Sequence, residues 1–146
     1  MTYNTQADKI ALAKTIALQY DLDQKLVCAI CEHESSWNPW AVRYEPAFEK
    51  KYDPTVGISL TEHMGRAFSY GLMQIMGETA RELGFTEPYL TELCDPSTGL
   101  EFGCRKLVRC FGQTPDLTDI RSVLLKYNGG GDSHYPDLVI PLMAKY

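Results

Sequence analysis

The sequence predicts a mainly α-helical fold in a single domain, residues 1–146, with at most a small sheet. Three observations carry that prediction. Apolar residues recur at steps of three and four in most segments, the period of a helix with one face buried. The length suits one compact domain with a real core. No internal repeat, low-complexity tract or linker divides the chain.

Taken in order, residues 5 to 20 carry Ile10, Ala13, Ile16, Ala17 and Tyr20 on one stripe. Asp21 and Asp23 then offer N-cap chemistry for a second helix, DQKLVCAICEHES. SSWNP should stop it, because the residue before Pro39 is pushed out of helical geometry. Residues 40 to 68 lack clear periodicity and hold Tyr44, Phe48 and Tyr52. They read as an irregular insertion or lid with room for a short hairpin or helix. SYGLMQIM is apolar around a single Gln, and GETARELG is a short helix closed by Gly84. DPSTGLEFGCRKLVRCFG is helical with Leu100, Cys104, Leu107, Val108 and Phe111 on one face. DLTDIRSVLLKYNGGG is helical through Ile120, Val123, Leu124 and Tyr127 and ends at its glycines, and a last helix covers roughly 135 to 145.

Composition excludes several functions. The net charge is −5 with acids and bases interspersed, so no basic stripe for nucleic acid exists. Arg105, Lys106 and Arg109 read as the solvated face of their helix. No apolar run approaches the ~18–20 residues of a membrane span, and the N-terminus does not read as a signal peptide. The five cysteines are an odd number, which argues against a closed disulfide framework. Cys28 and Cys31 form a CxxC spacing inside an apolar helical pattern, where cysteine behaves as a small buried hydrophobe.

Glu34 is the most informative residue. It continues the stripe of Val27, Ile30 and Cys31, whereas Glu32 lies about 200° around the helix. A carboxyl group on an apolar face has its pKa raised by desolvation, which is what a general acid near neutral pH requires. The bland alternative is a Glu at a fraying helix end. Gln74, among Leu72, Met73 and Ile75, needs partners for its amide. Those are either sugar hydroxyl and acetamido groups or a neighbouring loop. Tyr127 belongs to the core or to a cleft wall, and Asn128 before glycine is either a helix cap or a contact residue. His33 and Glu34 begin HESSW, which lacks the second histidine of an HExxH zinc site, so no metal is expected.

Together, ICEHESSWNPWAV, SYGLMQIMGETARELG and LLKYNGGG, in that order, resemble the lytic transglycosylase family with the SLT-type catalytic domain, related to goose-type lysozyme. The resemblance runs from about residue 10 to the C-terminus. It implies a lysozyme-like α-helical fold with a deep glycan cleft. It also implies that Glu34, followed by Ser35, is the catalytic acid and base. By the same resemblance Met73 and Gln74 line sugar subsites, Tyr127 helps position Glu34 or the substrate, and Ser35 and Asn128 join the binding set.

The implied activity is cleavage of the β-1,4 bond between N-acetylmuramic acid and N-acetylglucosamine in peptidoglycan, leaving 1,6-anhydro ends, by a monomer without cofactor. Its partner is the glycan strand and its place of action the periplasm or cell wall, reached by phage-type release from the cytoplasm, by delivery with a phage particle, or by a signal since removed. The chain departs from the family in its longer stretch between Ser35 and Gly71, whose RYEP wording is similar to a phage and prophage subgroup. Glu45 in that stretch either assists an attacking water, which makes the enzyme a goose-type hydrolase, or pairs with a base such as Arg43 or Arg66 and pins the loop. A non-catalytic cell-wall-binding phage module is the alternative of another class.

Overall fold

The computed structural model describes residues 2–51 and 58–146. Its first helix, α1 (Gln6–Gln19), starts at a capping box: the Thr5 side chain accepts from the Asp8 amide and the Asp8 carboxylate accepts from the Thr5 amide. The second, α2 (Gln24–Ser35), is capped by Asp23. Leu26 through Cys31 are all closed to solvent, so α2 is central and buried all round rather than along one stripe. It ends sooner than Pro39 requires. Ser36 and Trp37 both take left-handed backbone angles, and the Ser36 amide closes the last turn on the Glu32 carbonyl. Two consecutive left-handed residues that are not glycine each cost about 1–2 kcal/mol. The indole of Trp37 is buried, and its N–H donates to the Tyr146 hydroxyl.

The stretch after α2 is short elements rather than a structureless loop. Strand β1 (Val42–Tyr44) is followed by α3 (Pro46–Lys51) and α4 (Leu60–Arg66), while residues 52–57, with Tyr52, lie outside the described residues. Strands β2 (Phe68–Tyr70) and β3 (Ile75–Met76) follow, and among the described residues the sheet has the antiparallel order β1-β2-β3. Val42 faces Tyr70, and Tyr70 faces Ile75. The β2–β3 connection is therefore the four residues Gly71–Leu72–Met73–Gln74, with Gly71 and Gln74 both left-handed. Only glycine fits at 71, because a Cβ there would lie 2.5 Å from the Leu93 carbonyl oxygen.

Next come α5 (Gly77–Glu82), a 3-10 turn over Leu90–Cys94 that the periodicity did not announce, and α6 (Pro96–Gly112), capped by Asp95 with proline in its first turn. The seventh helix, α7, covers only Ile120–Tyr127. The Asp119 carboxylate caps it, and Asp116 is used to fold back on Thr118. The last expected helix is divided into α8 (Tyr135–Val139) and a 3-10 turn, Ile140–Lys145, with Pro141 at the junction.

The larger core cluster joins α1, α2, α6, α7 and α8 with Leu72 and Met73 of the hairpin loop; a smaller one gathers Tyr70, Ile75, Phe85, Leu93 and Phe102 beside the sheet. The five cysteines are buried and unbridged. Among the described residues no helix is long and apolar enough to cross a membrane.

Candidate active site

Glu34 sits one residue before the end of α2, where the central helix runs out of the core. Its Oε1 accepts a 2.6 Å hydrogen bond from the Tyr135 hydroxyl, at the start of α8. Among the described residues its Oε2 has no protein partner, yet it is not an orphaned buried atom, so it keeps contact with solvent. Burial raises the pKa of Glu34. The Tyr135 hydroxyl and, more weakly, the charges of Lys106, His33 and Arg43 pull it the other way. Burial is the largest of these influences, so the pKa lies above that of an exposed glutamate. Tyr135 is itself buried, with its pKa driven far up by burial and by the Glu34 charge, and it stays a donor throughout the useful pH range. His33 packs edge-on to the Tyr135 ring at 5.1 Å between centres. Glu32 points away, as its place on the helix predicts, and accepts from Lys145 and from the Tyr146 hydroxyl.

The other expected site residues converge on one loop rather than on open space. The Ser35 hydroxyl is buried and bridges the Cys31 and Leu72 carbonyls, at 3.0 and 2.9 Å. The Tyr127 hydroxyl donates to the Met73 carbonyl at 2.7 Å, and the whole residue is buried. The Gln74 amide is satisfied within the protein: its nitrogen donates to the Ala41 and Gly71 carbonyls and its oxygen accepts from Ser69. The Gly71–Gln74 loop is thus fastened to α2 by Ser35, to α7 by Tyr127 and to the residue before β1 by Gln74. Met73 is closed to solvent and packs against Gly103 of α6, where a Cβ would come within 2.6 Å of the Met73 Cβ. The Asn128 side chain donates to the Asp132 carbonyl at 3.4 Å, inside the glycine turn.

The hydroxyl that reaches Glu34 therefore belongs to Tyr135, while that of Tyr127 is spent on the loop behind it. Periodicity singled out Tyr127 because it falls in line with Ile120, Val123 and Leu124 on one face of its helix. Tyr135 stands between a glycine turn and Pro136, where no stripe exists to mark it. Glu45 forms an ion pair with Arg43, Nε to Oε1 at 3.0 Å, and its amide donates to the Ala67 carbonyl. Arg66, the other base considered for it, is held by Glu62 and Glu78. The basic residues of α6 are not one solvated face: Arg105 stacks over Phe102 and bonds Glu101, and Lys106 turns inward over the Tyr127 ring.

Comparisons with known proteins point to the same family. The profile of the Transglycosylase SLT domain matches residues 11–135. A protein named Transglycosylase from Enterobacteria phage PRD1 is 31% identical over 112 residues, covering 77% of this chain and 31% of its own length. The chain thus spans about a third of that relative. No solved structure matches.

Proposed function

The chain belongs to the SLT transglycosylase family, and from that premise we propose that it cleaves the peptidoglycan glycan strand with Glu34 as its acid and then its base. The observation that carries the reading is a half-buried carboxyl group with one oxygen held by Tyr135 and the other open. In the first step Glu34 gives its proton to the oxygen between N-acetylmuramic acid and N-acetylglucosamine. The bond breaks with an oxocarbenium-like centre assisted by the sugar's own acetamido group. In the second step the Glu34 carboxylate takes the proton of the C6 hydroxyl as that oxygen closes a 1,6-anhydro ring. The proton balance returns to its start, and neither metal nor cofactor enters.

The fastened loop supports a rigid wall beside Glu34. Ser35, Met73 and Tyr127 serve in this reading as its frame, with Gln74 and Asn128 at its rim, and the glycan lies along it. The Glu45–Arg43 pair favours a structural role for Glu45 over activation of water. The substrate sets the place of action in the periplasm or cell wall.

Glu34→Gln tests the reading. At equal folded concentration, lysis of purified cell walls should fall by at least ~10²-fold, the low end of general acid catalysis. Retention of activity within about tenfold removes Glu34 from the chemistry. Mass spectrometry of the wild-type digest should show muropeptides lighter by one water than hydrolysis gives. Binding to cell walls without any cleavage identifies a binding module instead.

A further inference from the structure

The Ser36–Trp37 break just after Glu34 takes no part in the steps above, yet side chains from other elements hold it in place. Both residues have left-handed backbone angles, φ 49° and 63°. Residues other than glycine enter that region at a cost, and such a conformation persists only where its surroundings fix it. Here they do. The Lys9 ammonium of α1 donates to the Trp37 carbonyl at 2.6 Å. The Trp37 indole N–H donates to the Tyr146 hydroxyl at 2.8 Å, and that hydroxyl donates in turn to Glu32 Oε2 at 2.7 Å. The two rings meet edge-on, 5.9 Å between centres. The Lys145 ammonium bonds the other oxygen of Glu32, and it and then the Tyr146 hydroxyl hold that carboxyl group below the ordinary range. Burial first and Glu32 second push the pKa of Tyr146 up to about 12, so its hydroxyl stays a donor.

One hydroxyl thus bridges the two sides of Glu34, from Glu32 before it to Trp37 after it. What the bridge prevents follows from helix geometry. Pro39 bars Asn38 from the helix but not Ser36 or Trp37. Run on to that limit, α2 would place Trp37 three residues after Glu34 on the same face. Its indole would then lean back over the turn that carries the carboxyl group. The left-handed pair instead sends the indole toward Glu32, about 200° around the helix from Glu34. There it is buried, and among the described residues the Glu34 carboxyl group is left with Tyr135 as its hydrogen-bond partner.

We propose that Tyr146 is a positioning residue for Glu34: its hydroxyl latches Trp37 to Glu32, holds the left-handed break and keeps the tryptophan off the face from which Glu34 meets the glycan. The inference rests on the reading of Glu34 as acid and base. One segment then serves Glu34 twice. Tyr135 of α8 bonds the carboxyl group, and Tyr146, after the 3-10 turn, keeps it uncovered.

Tyr146→Phe keeps the ring and deletes the hydroxyl. With soluble, uncross-linked glycan strands as substrate, kcat per folded molecule should fall about tenfold, short of the ~10²-fold that a 1 Å misplacement costs. Adding Ser36→Gly should restore most of it, because glycine takes left-handed angles freely. Trp37→Phe deletes the same hydrogen bond from its other end and should lose a similar factor. Combined with Tyr146→Phe, the two losses should not multiply. Trp40→Phe, at an exposed position, leaves Trp37 as the single tryptophan. In that background acrylamide should quench Trp37 in Tyr146→Phe and not in the parent. Full kcat in folded Tyr146→Phe overturns the proposal. So does a loss that Ser36→Gly leaves in place, or one that comes with Trp37 still shielded. Failure of both Tyr146→Phe and Trp37→Phe to fold makes the latch a folding element only and overturns it as well. An active Glu34→Gln variant sinks the functional reading; an inactive one beside full kcat in Tyr146→Phe sinks the latch alone.

Discussion

Two carboxylates in different elements, Glu62 of α4 and Glu34 of α2, are treated in opposite ways. On the sheet side, Glu62 of α4 takes hydrogen bonds from Arg66 and, in bidentate fashion, from Arg81, and these hold its pKa below the ordinary range. Glu78 and Glu45 there are paired as well, with Arg66 and Arg43. At the end of α2, Glu34 has a single hydroxyl donor and a raised pKa. The sheet side uses its charges to hold elements together. The helical side leaves Glu34 without an ion-pair partner among the described residues, and a half-buried carboxyl group of that kind is costly to keep ionised.

The largest expected effect is the loss of lysis in Glu34→Gln, and the same variant sharpens the contrast through its stability. The folded pKa of Glu34 is raised, so its favourable contribution is complete below its unfolded value near 4.5 and is lost as pH rises through the folded value. Glu34→Gln should therefore melt higher than wild type at neutral pH, with the advantage disappearing below about pH 4.5. A lower melting temperature at neutral pH would mean that the carboxylate is stabilising where it stands.

Glu62→Gln should do the reverse. The folded pKa of Glu62 is lowered, so its stabilisation is present above its unfolded value near 4.5 and disappears as pH falls through the folded value. Loss of the pair should cost about 2 kcal/mol at neutral pH, below the 3–5 kcal/mol of a fully buried pair because Glu62 retains some exposure. The activity per folded molecule should hold. Denaturant unfolding at pH 7 and pH 3, beside lysis assays, checks both halves.

Tyr135→Phe removes the donor that steadies Glu34 and should slow lysis by about tenfold, the value of one hydrogen bond to a charged group. Tyr127→Phe offers the direct comparison: its hydroxyl serves the Met73 carbonyl, so stability should fall while the Glu34 titration stays put. Equal effects of the two variants on that titration would erase the distinction between the tyrosine at the carboxyl group and the one behind the loop.

The smallest effect belongs to Glu45→Gln. Arg43 is largely exposed, and an ion pair of that kind contributes about 0–1 kcal/mol. Activity should stay within about twofold and the anhydro product should be unchanged. Dominant reducing-end muramic acid that vanishes in Glu45→Gln identifies water as the nucleophile and Glu45 as its activator.

The sequence by itself determined the helices α1, α2, α6 and α7, because their caps and apolar steps are local. Thr5 and Asp8, Asp23, Asp95 with Pro96, and Asp119 each start a helix where they stand. It also determined that Glu34 leaves the core on the face of Val27, Ile30 and Cys31, since that needs only the pitch of α2. The motif order pointed to the family. Tertiary structure alone decided which groups surround Glu34. Tyr135 lies 101 residues away and reaches it only because the glycine turn after α7 lays α8 against α2. Lys106 looked like part of a solvated face, and nothing in its neighbours shows that Gly103 draws α6 against Met73 and turns the ammonium over Tyr127. The fate of the Gln74 amide was open for the same reason: its partners, Ala41 and Ser69, are set by strand register and a left-handed turn. Periodicity fixes which face of an element is buried, whereas the partner it meets there depends on how distant elements pack, and that information is spread over the whole chain.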